Sequence, residues 1–223
     1  MQQDQNIRGF TILELLVVIT IVAIVSAVGY PNFTSWKKDR EVRQAVERAA
    51  AMVQSIITQS QRGSYPYVQL DIKSTKSQTI LTTKGMSKSK FSNSINQKSN
   101  SINCPVTDQS SSYWDADPIE TATESVSSNA GTSGAICFSR EGTYYALVGT
   151  ELIKNNFASN KMSLDGFMVS QYIIFCSEEI AALNSDMCPR ALGKEDKPAY
   201  LLEWSRFGNV VKYKWNGNAW RRL

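Results

Sequence analysis

At 223 residues and 24.9 kDa, the chain has room for one substantial domain plus an extension. A composition that is 42% hydrophobic and 20% charged excludes a wholly disordered chain and a polytopic membrane protein, and a net charge of +4 is too mild to name a partner. There is no histidine, which removes Ser-His-Asp and Cys-His catalysis, histidine metal sites and histidine general bases. A non-enzymatic protein without metal or cofactor is the expectation.

The chain opens with a polar leader, residues 1–9, ending in Arg8-Gly9. Phe10 to Tyr30 then reads FTILELLVVITIVAIVSAVGY. As a helix those 21 residues span about 31 Å, the thickness of a bilayer core. One charge, Glu14, interrupts the run. A secretory signal cut near Val25-Ser26-Ala27 fits poorly with that carboxylate. In a plain signal anchor Glu14 would only be tolerated near the membrane end. In a third reading Glu14 is functional, as intramembrane ionisable residues generally are.

The segment Gly9-Phe10-Thr11-Ile12-Leu13-Glu14, followed by the long apolar run, resembles the cleavage and methylation signal of type IV pilins and type II secretion pseudopilins. The likeness includes Gly9 before the cut, Phe10 after it, Glu14 as the fifth residue of the mature chain, and Pro31. It is confined to the N-terminal part of the sequence. It implies a prepilin peptidase that cuts after Gly9 and methylates the amine of Phe10. It also implies an apolar helix that first anchors the chain in the inner membrane and then packs in a filament. Glu14 would pair there with the Phe10 ammonium of a neighbouring subunit. Losing one partner of a buried pair costs about 3–5 kcal/mol, so assembly would depend on Glu14. Other pilin subunits, an inner-membrane assembly platform and an assembly ATPase are the implied partners.

One rule disagrees with this orientation. The leader side carries Arg8 against Asp4, whereas Lys37, Lys38, Arg40 and Arg43 follow the apolar run. Positive-inside counting would leave the C-terminal body in the cytoplasm. The family pathway and the even number of cysteines both require the opposite.

Residues 31–62 form the next segment. Val42, Ala45, Ala49, Met52 and Ile56 recur at helical spacing, and Val46, Val53 and Ile57 widen the stripe. Arg40, Arg43, Glu47 and Arg48 lie off it. Gly63 and Pro66 should end the helix, and Gly29 with Pro31 should kink or melt it.

Residues 63–223 read as a β-rich domain. Val68, Leu70 and Ile72 alternate, and 79–82 is a short strand. Residues 135–139 and 143–148 flank Arg140-Glu141-Gly142 as a hairpin. Further strands are expected at 167–176, 199–204 and 210–215. Asn216-Gly217 favours a type I′ turn into 219–222. The polar tracts 85–101 and 109–134 read as exposed loops. Asp115 with Asp117, or Asp165 with Gly166, could be taken for cation sites, but turn carboxylates in water explain them better.

The four cysteines, Cys104, Cys137, Cys176 and Cys188, are separated by 32, 38 and 11 residues, which fits no zinc spacing. Two disulfides in an oxidising compartment are expected. Cys176 with Cys188 and Cys104 with Cys137 is the favoured pairing, although three connectivities exist.

After Glu203 there is no acid, and five basic residues, Arg206, Lys212, Lys214, Arg221 and Arg222, alternate with aromatics. Lys212, Lys214, Arg221 and Arg222 could neutralise DNA phosphates while Trp204, Phe207, Tyr213, Trp215 and Trp220 stack bases. The simpler reading is a terminal hairpin with lysines toward water and aromatics toward the core.

The expected fold is α+β: a long N-terminal helix on a C-terminal antiparallel sheet domain. The expected function is that of a filament subunit, in a type IV pilus or a type II secretion pseudopilus. The transition at Arg62-Gly63 resembles H-type minor pseudopilins. The body would be periplasmic or extracellular. A membrane-anchored binding protein that never polymerises is the rival from another class.

Overall fold

A computed structural model of the chain describes residues 11–96, 114–115, 117–130, 134–140, 144–148, 151–154, 162–164, 167–169, 172–189, 192–193, 198–205 and 209–223. The architecture is α+β, a long N-terminal helix followed by antiparallel sheets. The chain divides into two compact units, Met1–Lys38 and Asp39–Leu223. Helix α1 runs from Ile12 to Gln61. The backbone stays helical through Gly29 and Pro31, so the expected melting does not occur. A bend separates Ile12–Ala27 from Asn32–Gln61, around Pro31, which brings no N–H to the ladder.

In the second unit the helical stripe is the centre of the core. Val42, Ala45, Val46, Ala49, Met52, Val53, Ile56 and Ile57 are all buried, while Arg40, Arg43, Glu47 and Arg48 are exposed. The helix ends where the spacing breaks. Gly63 takes a φ of +71°, a left-handed geometry that favours glycine just past a helix C-terminus. Its N–H donates to the Ser60 carbonyl at 3.0 Å.

Two large sheets replace the one expected. The first joins β1 (Tyr67–Ser74), β2 (Thr79–Met86), β3 (Glu120–Glu124), β5 (Gly134–Ser139), β6 (Tyr144–Val148) and β7 (Glu151–Lys154), in the order β3-β2-β1-β5-β6-β7. The second joins β4 (Ser127–Ser128), β10 (Tyr172–Cys176), β11 (Ala199–Trp204), β12 (Val210–Trp215) and β13 (Trp220–Arg222), in the order β13-β12-β11-β10-β4. A hairpin of β8 (Met162–Leu164) and β9 (Phe167–Val169) stands as a third, two-stranded sheet.

The helix packs on one face of both large sheets. Val68, Leu70 and Ile72 of β1, Phe138 of β5, Phe175 of β10 and Leu202 of β11 share its core cluster. The alternate residues of the second sheet, Tyr172, Ile174, Leu201, Tyr213 and Trp215, build a separate core on the opposite face. Helix α3 (Glu178–Ala182) covers that face with Ile180 and Ala181. Strand β1 is covered on both sides, so Gln69 and Asp71 are buried as well. On that side Tyr67, Met86 and Trp114 pack with Phe91 of α2 (Lys88–Asn96). Gly85 lies on the other, helix-side face of β2, where a Cβ would come within 2.5 Å of the Tyr65 ring that packs against the helix core.

Several sequence expectations are corrected. The tract 85–101 contains α2, anchored by Phe91 against Tyr67 at a centroid distance of 5.9 Å. The tract 109–134 contains β3 and β4. Strands β1 and β2 hold them by hydrogen bonds: Thr79 Oγ1 donates to the Val126 carbonyl at 2.7 Å, and the Ser128 N–H donates to Ser74 Oγ at 2.7 Å. The run 167–176 divides into β9 and β10, which belong to different sheets. The turn at Asn216-Gly217 has four residues, since Trp215 pairs with Trp220. Asn216 Oδ1 accepts from the N–H groups of Asn218 and Ala219, which fixes the longer loop.

Candidate functional site

Two groups of residues bear on function, one in each unit. In the first unit, helix α1 opens at Thr11. Its Oγ1 accepts the Glu14 N–H at 3.2 Å, the bond of an N-cap residue, so Thr11 and Glu14 occupy the ends of a capping-box spacing. Thr-x-x-Glu before an apolar run is the sequence signal for that role of Thr11. Glu14 lies in the first turn, where the positive end of the helix dipole favours a carboxylate.

Every described residue from Thr11 to Ala27 is exposed, including Ile12, Leu13, Leu15, Leu16, Ile19, Val22 and Val25. An all-round apolar helix of this kind requires a non-aqueous environment or a protein partner. By length and composition no single helix crosses a membrane, whereas Ile12–Ala27 taken with Asn32–Gln61 meets the requirement as a bent pair. Gly9, Phe10 and Cys104 lie outside the described residues, as does the Pro31 side chain.

In the second unit the terminal hairpin closes onto the helix. Lys212 and Lys214 share a face of β12 with Val210, which packs into the helix-side core. Lys212 Nζ donates to Glu47 Oε2 at 2.6 Å, and Lys214 Nζ lies 2.9 Å from Asp39 Oδ1. The Tyr200 hydroxyl donates to both Asp39 oxygens at 3.1 Å, and the Lys214 ammonium sits 5.6 Å from the Tyr200 ring centroid. Burial pushes the Tyr200 phenol up, with the Asp39 charge adding to it. Burial alone would lower the Lys214 amine. The hydrogen bond to Asp39 and the neighbouring Tyr200 and Asp39 groups outweigh that, so it too is raised.

The aromatics of this segment are interior. Trp204, Tyr213, Trp215 and Trp220 are buried, with Trp215 against Trp220 at 5.4 Å edge to face. Trp215 Nε1 donates to the Gly193 carbonyl at 3.2 Å, and the Tyr213 hydroxyl donates to Glu203 Oε2 at 2.9 Å. Arg221 and Arg222 are exposed but consecutive on β13, opposite Lys214 and Tyr213, and so point to opposite faces. Arg221 thus shares a face with Lys212 and Lys214, whereas Arg222 lies on the other face, and the described aromatics of the segment are interior. Arg206 and Phe207 lie outside the described residues.

Cys176 and Cys188 form a disulfide with a Cα–Cα distance of 5.8 Å, tying the loop after α3 to β10. Cys137 is also disulfide-bonded. Asp115 lies 3.9 Å from Lys90 Nζ, while Asp117 is exposed. Asp165 and Gly166 fall outside the described residues. Among the described residues no three His, Cys, Asp or Glu side chains gather as metal ligands.

Comparison with known families matches residues 4–30 to the prokaryotic N-terminal methylation motif. No curated protein and no solved structure matches the chain. The motif covers most of the leader, Glu14 and the exposed apolar helix, and it supports a type IV pilin-like or pseudopilin subunit. The chain thus carries the prepilin signal of the type IV pilins and pseudopilins at the head of an α+β fold.

Proposed function

We propose that the chain is a minor structural subunit of a type IV pilus or related filament, cut between Gly9 and Phe10 and assembled through its N-terminal helix. The observation that carries this reading is the methylation motif on a helix whose described residues 11–27 are exposed on every side. Such a surface is stable in two settings, a bilayer before assembly and a bundle of identical or related helices after it. Glu14 is the device that turns association into register. Buried among apolar helices, its carboxylate needs a cation, and the new amine of Phe10 on a neighbour supplies one. Residues 39–223 then form the body outside the membrane, and the disulfides suit an oxidising compartment.

The test compares filaments with inner membranes from the same cells. Glu14→Ala should leave membrane content unchanged, because the helix becomes more apolar, and should deplete the chain from isolated filaments. A variant incorporated as well as the parent would remove Glu14 from this role. Absence of the parent chain from filaments would contradict the proposal itself.

A further inference from the structure

Immediately beyond the apolar run, the first unit carries three large exposed rings. Tyr30, Phe33 and Trp36 are 72%, 59% and 55% exposed. They recur every three residues, and Lys37 lies one turn after Phe33. At 100° per residue these four side chains occupy one arc of about 120° on the helix. The rings of Phe33 and Trp36 lie 6.0 Å apart, which makes them one surface rather than scattered residues. Asn32, Thr34, Ser35 and Lys38 fall outside the arc.

We infer that Tyr30–Lys38 is a lipid-interface anchor, with Tyr30, Phe33 and Trp36 seated among phospholipid headgroups and Lys37 and Lys38 at their phosphates. This rests on the membrane stage of the function proposed above. Length supports the placement. The run Phe10–Tyr30 spans about 31 Å as a helix, so Tyr30 reaches the hydrocarbon boundary. Phe33 and Trp36 follow about 4.5 and 9 Å farther along the helix, in the headgroup layer. Chemistry supports it too. Tyr and Trp combine an apolar body with a polar tip, the property that concentrates them at bilayer surfaces. The lysine ammonium groups complement anionic phosphates in the same layer. The anchor also gives the basic residues after the apolar run a use that positive-inside counting does not anticipate.

Trp36 makes the inference measurable. The other four tryptophans, Trp114, Trp204, Trp215 and Trp220, are buried, so lipid-borne quenchers report on Trp36. The full chain is reconstituted into phosphatidylethanolamine–phosphatidylglycerol vesicles containing lipid brominated at carbons near the headgroup or near the chain end. Shallow bromines should quench more strongly than deep ones, and Trp36→Phe should abolish the quenchable component. Stronger quenching by the deep probe would place the segment inside the hydrocarbon and overturn the inference. So would co-sedimentation without quenching, including a blue-shifted but unquenched Trp36 buried against a second copy; the membrane anchor would survive that result. Failure to co-sediment with vesicles would overturn both.

Discussion

The Tyr200 hydroxyl donates to both carboxylate oxygens of Asp39, at 3.1 Å each, across 161 residues of sequence. Tyr200 lies on the helix-facing side of β11, and Asp39 lies where the amphipathic half of α1 begins in the second unit. Lys214 completes the cluster at 2.9 Å from Asp39. Eight residues along the helix, Glu47 meets Lys212. The base of the helix is therefore tied to the last strands of the chain by hydrogen bonds and ion pairs as well as by apolar packing.

Removing the phenol oxygen should weaken this tie more than removing the ammonium. A hydrogen bond to a charged acceptor beside a buried ring is worth about 1.5–3 kcal/mol. A pair whose side chains are about a third exposed or more is worth less than about 1 kcal/mol. Urea unfolding of Tyr200→Phe and Lys214→Met should show the larger loss for Tyr200→Phe. The reverse order would mean that Lys214, not the phenol, holds Asp39.

The same cluster sets an alkaline limit. The Tyr200 and Lys214 values are both raised, from ordinary values of 10.0 and 10.5. A raised folded value means that the native state holds its proton more tightly than the unfolded chain does. The contribution is then complete below the unfolded value and is lost as pH rises through the folded one. Stability should fall above about pH 10, and less steeply in Tyr200→Phe. Ultraviolet titration of tyrosinate should contain a late-ionising component to which Tyr200 contributes, and that component should shrink in the variant.

Much of this architecture is legible in the sequence because apolar spacing is a direct readout of burial. The eight helical stripe residues from Val42 to Ile57 are all interior, and strands β11 and β12 occupy the runs 199–204 and 210–215 expected from the sequence. Legibility fails where polar residues are structural. Ser127 and Ser128 are fully buried in a strand whose serine composition signals a loop. Helix α2 carries only Phe91 and Ile95 as apolar residues, too sparse a pattern to mark a helix in the sequence. The terminal lysines look like a free basic surface until their acidic partners appear more than 160 residues away, at Asp39 and Glu47. In the N-terminal site the motif residues carry the signal themselves, so Glu14 stands out without any structure.

Asp71 is the buried charge that the fold can spare. It lies on the covered face of β1, 3.6 Å from Lys84 and 3.9 Å from Lys73. Burial raises its carboxyl above 3.8 in spite of those two lysines. The native state therefore favours the protonated form, and stability declines as pH rises from the unfolded value through the folded one. Asp71→Asn keeps the shape and removes the charge. It should hold or raise the thermal midpoint at neutral pH and remove the corresponding part of the acid dependence. A clear drop at neutral pH would show that the two lysines outweigh the cost of burial.

The Cys176–Cys188 bond closes a short loop of 12 residues' separation. Restricting the unfolded chain over such a loop is worth about 3 kcal/mol. Replacing both cysteines with alanine should lower the unfolding free energy by about that amount. The loss should be concentrated in the face built by Ile174, Ile180, Trp215 and Trp220 and be visible as increased acrylamide quenching of tryptophan. An unchanged unfolding midpoint would show that the loop after α3 holds its place without the bond.

The central claim is that the N-terminus is processed as a prepilin. Mass spectrometry of the N-terminal peptide of the mature chain, isolated from cell envelopes, tests it most directly. The account predicts a peptide that begins at Phe10 and carries one methyl group on its amine. A chain that retains Met1, or one that begins after Ala27, would contradict it.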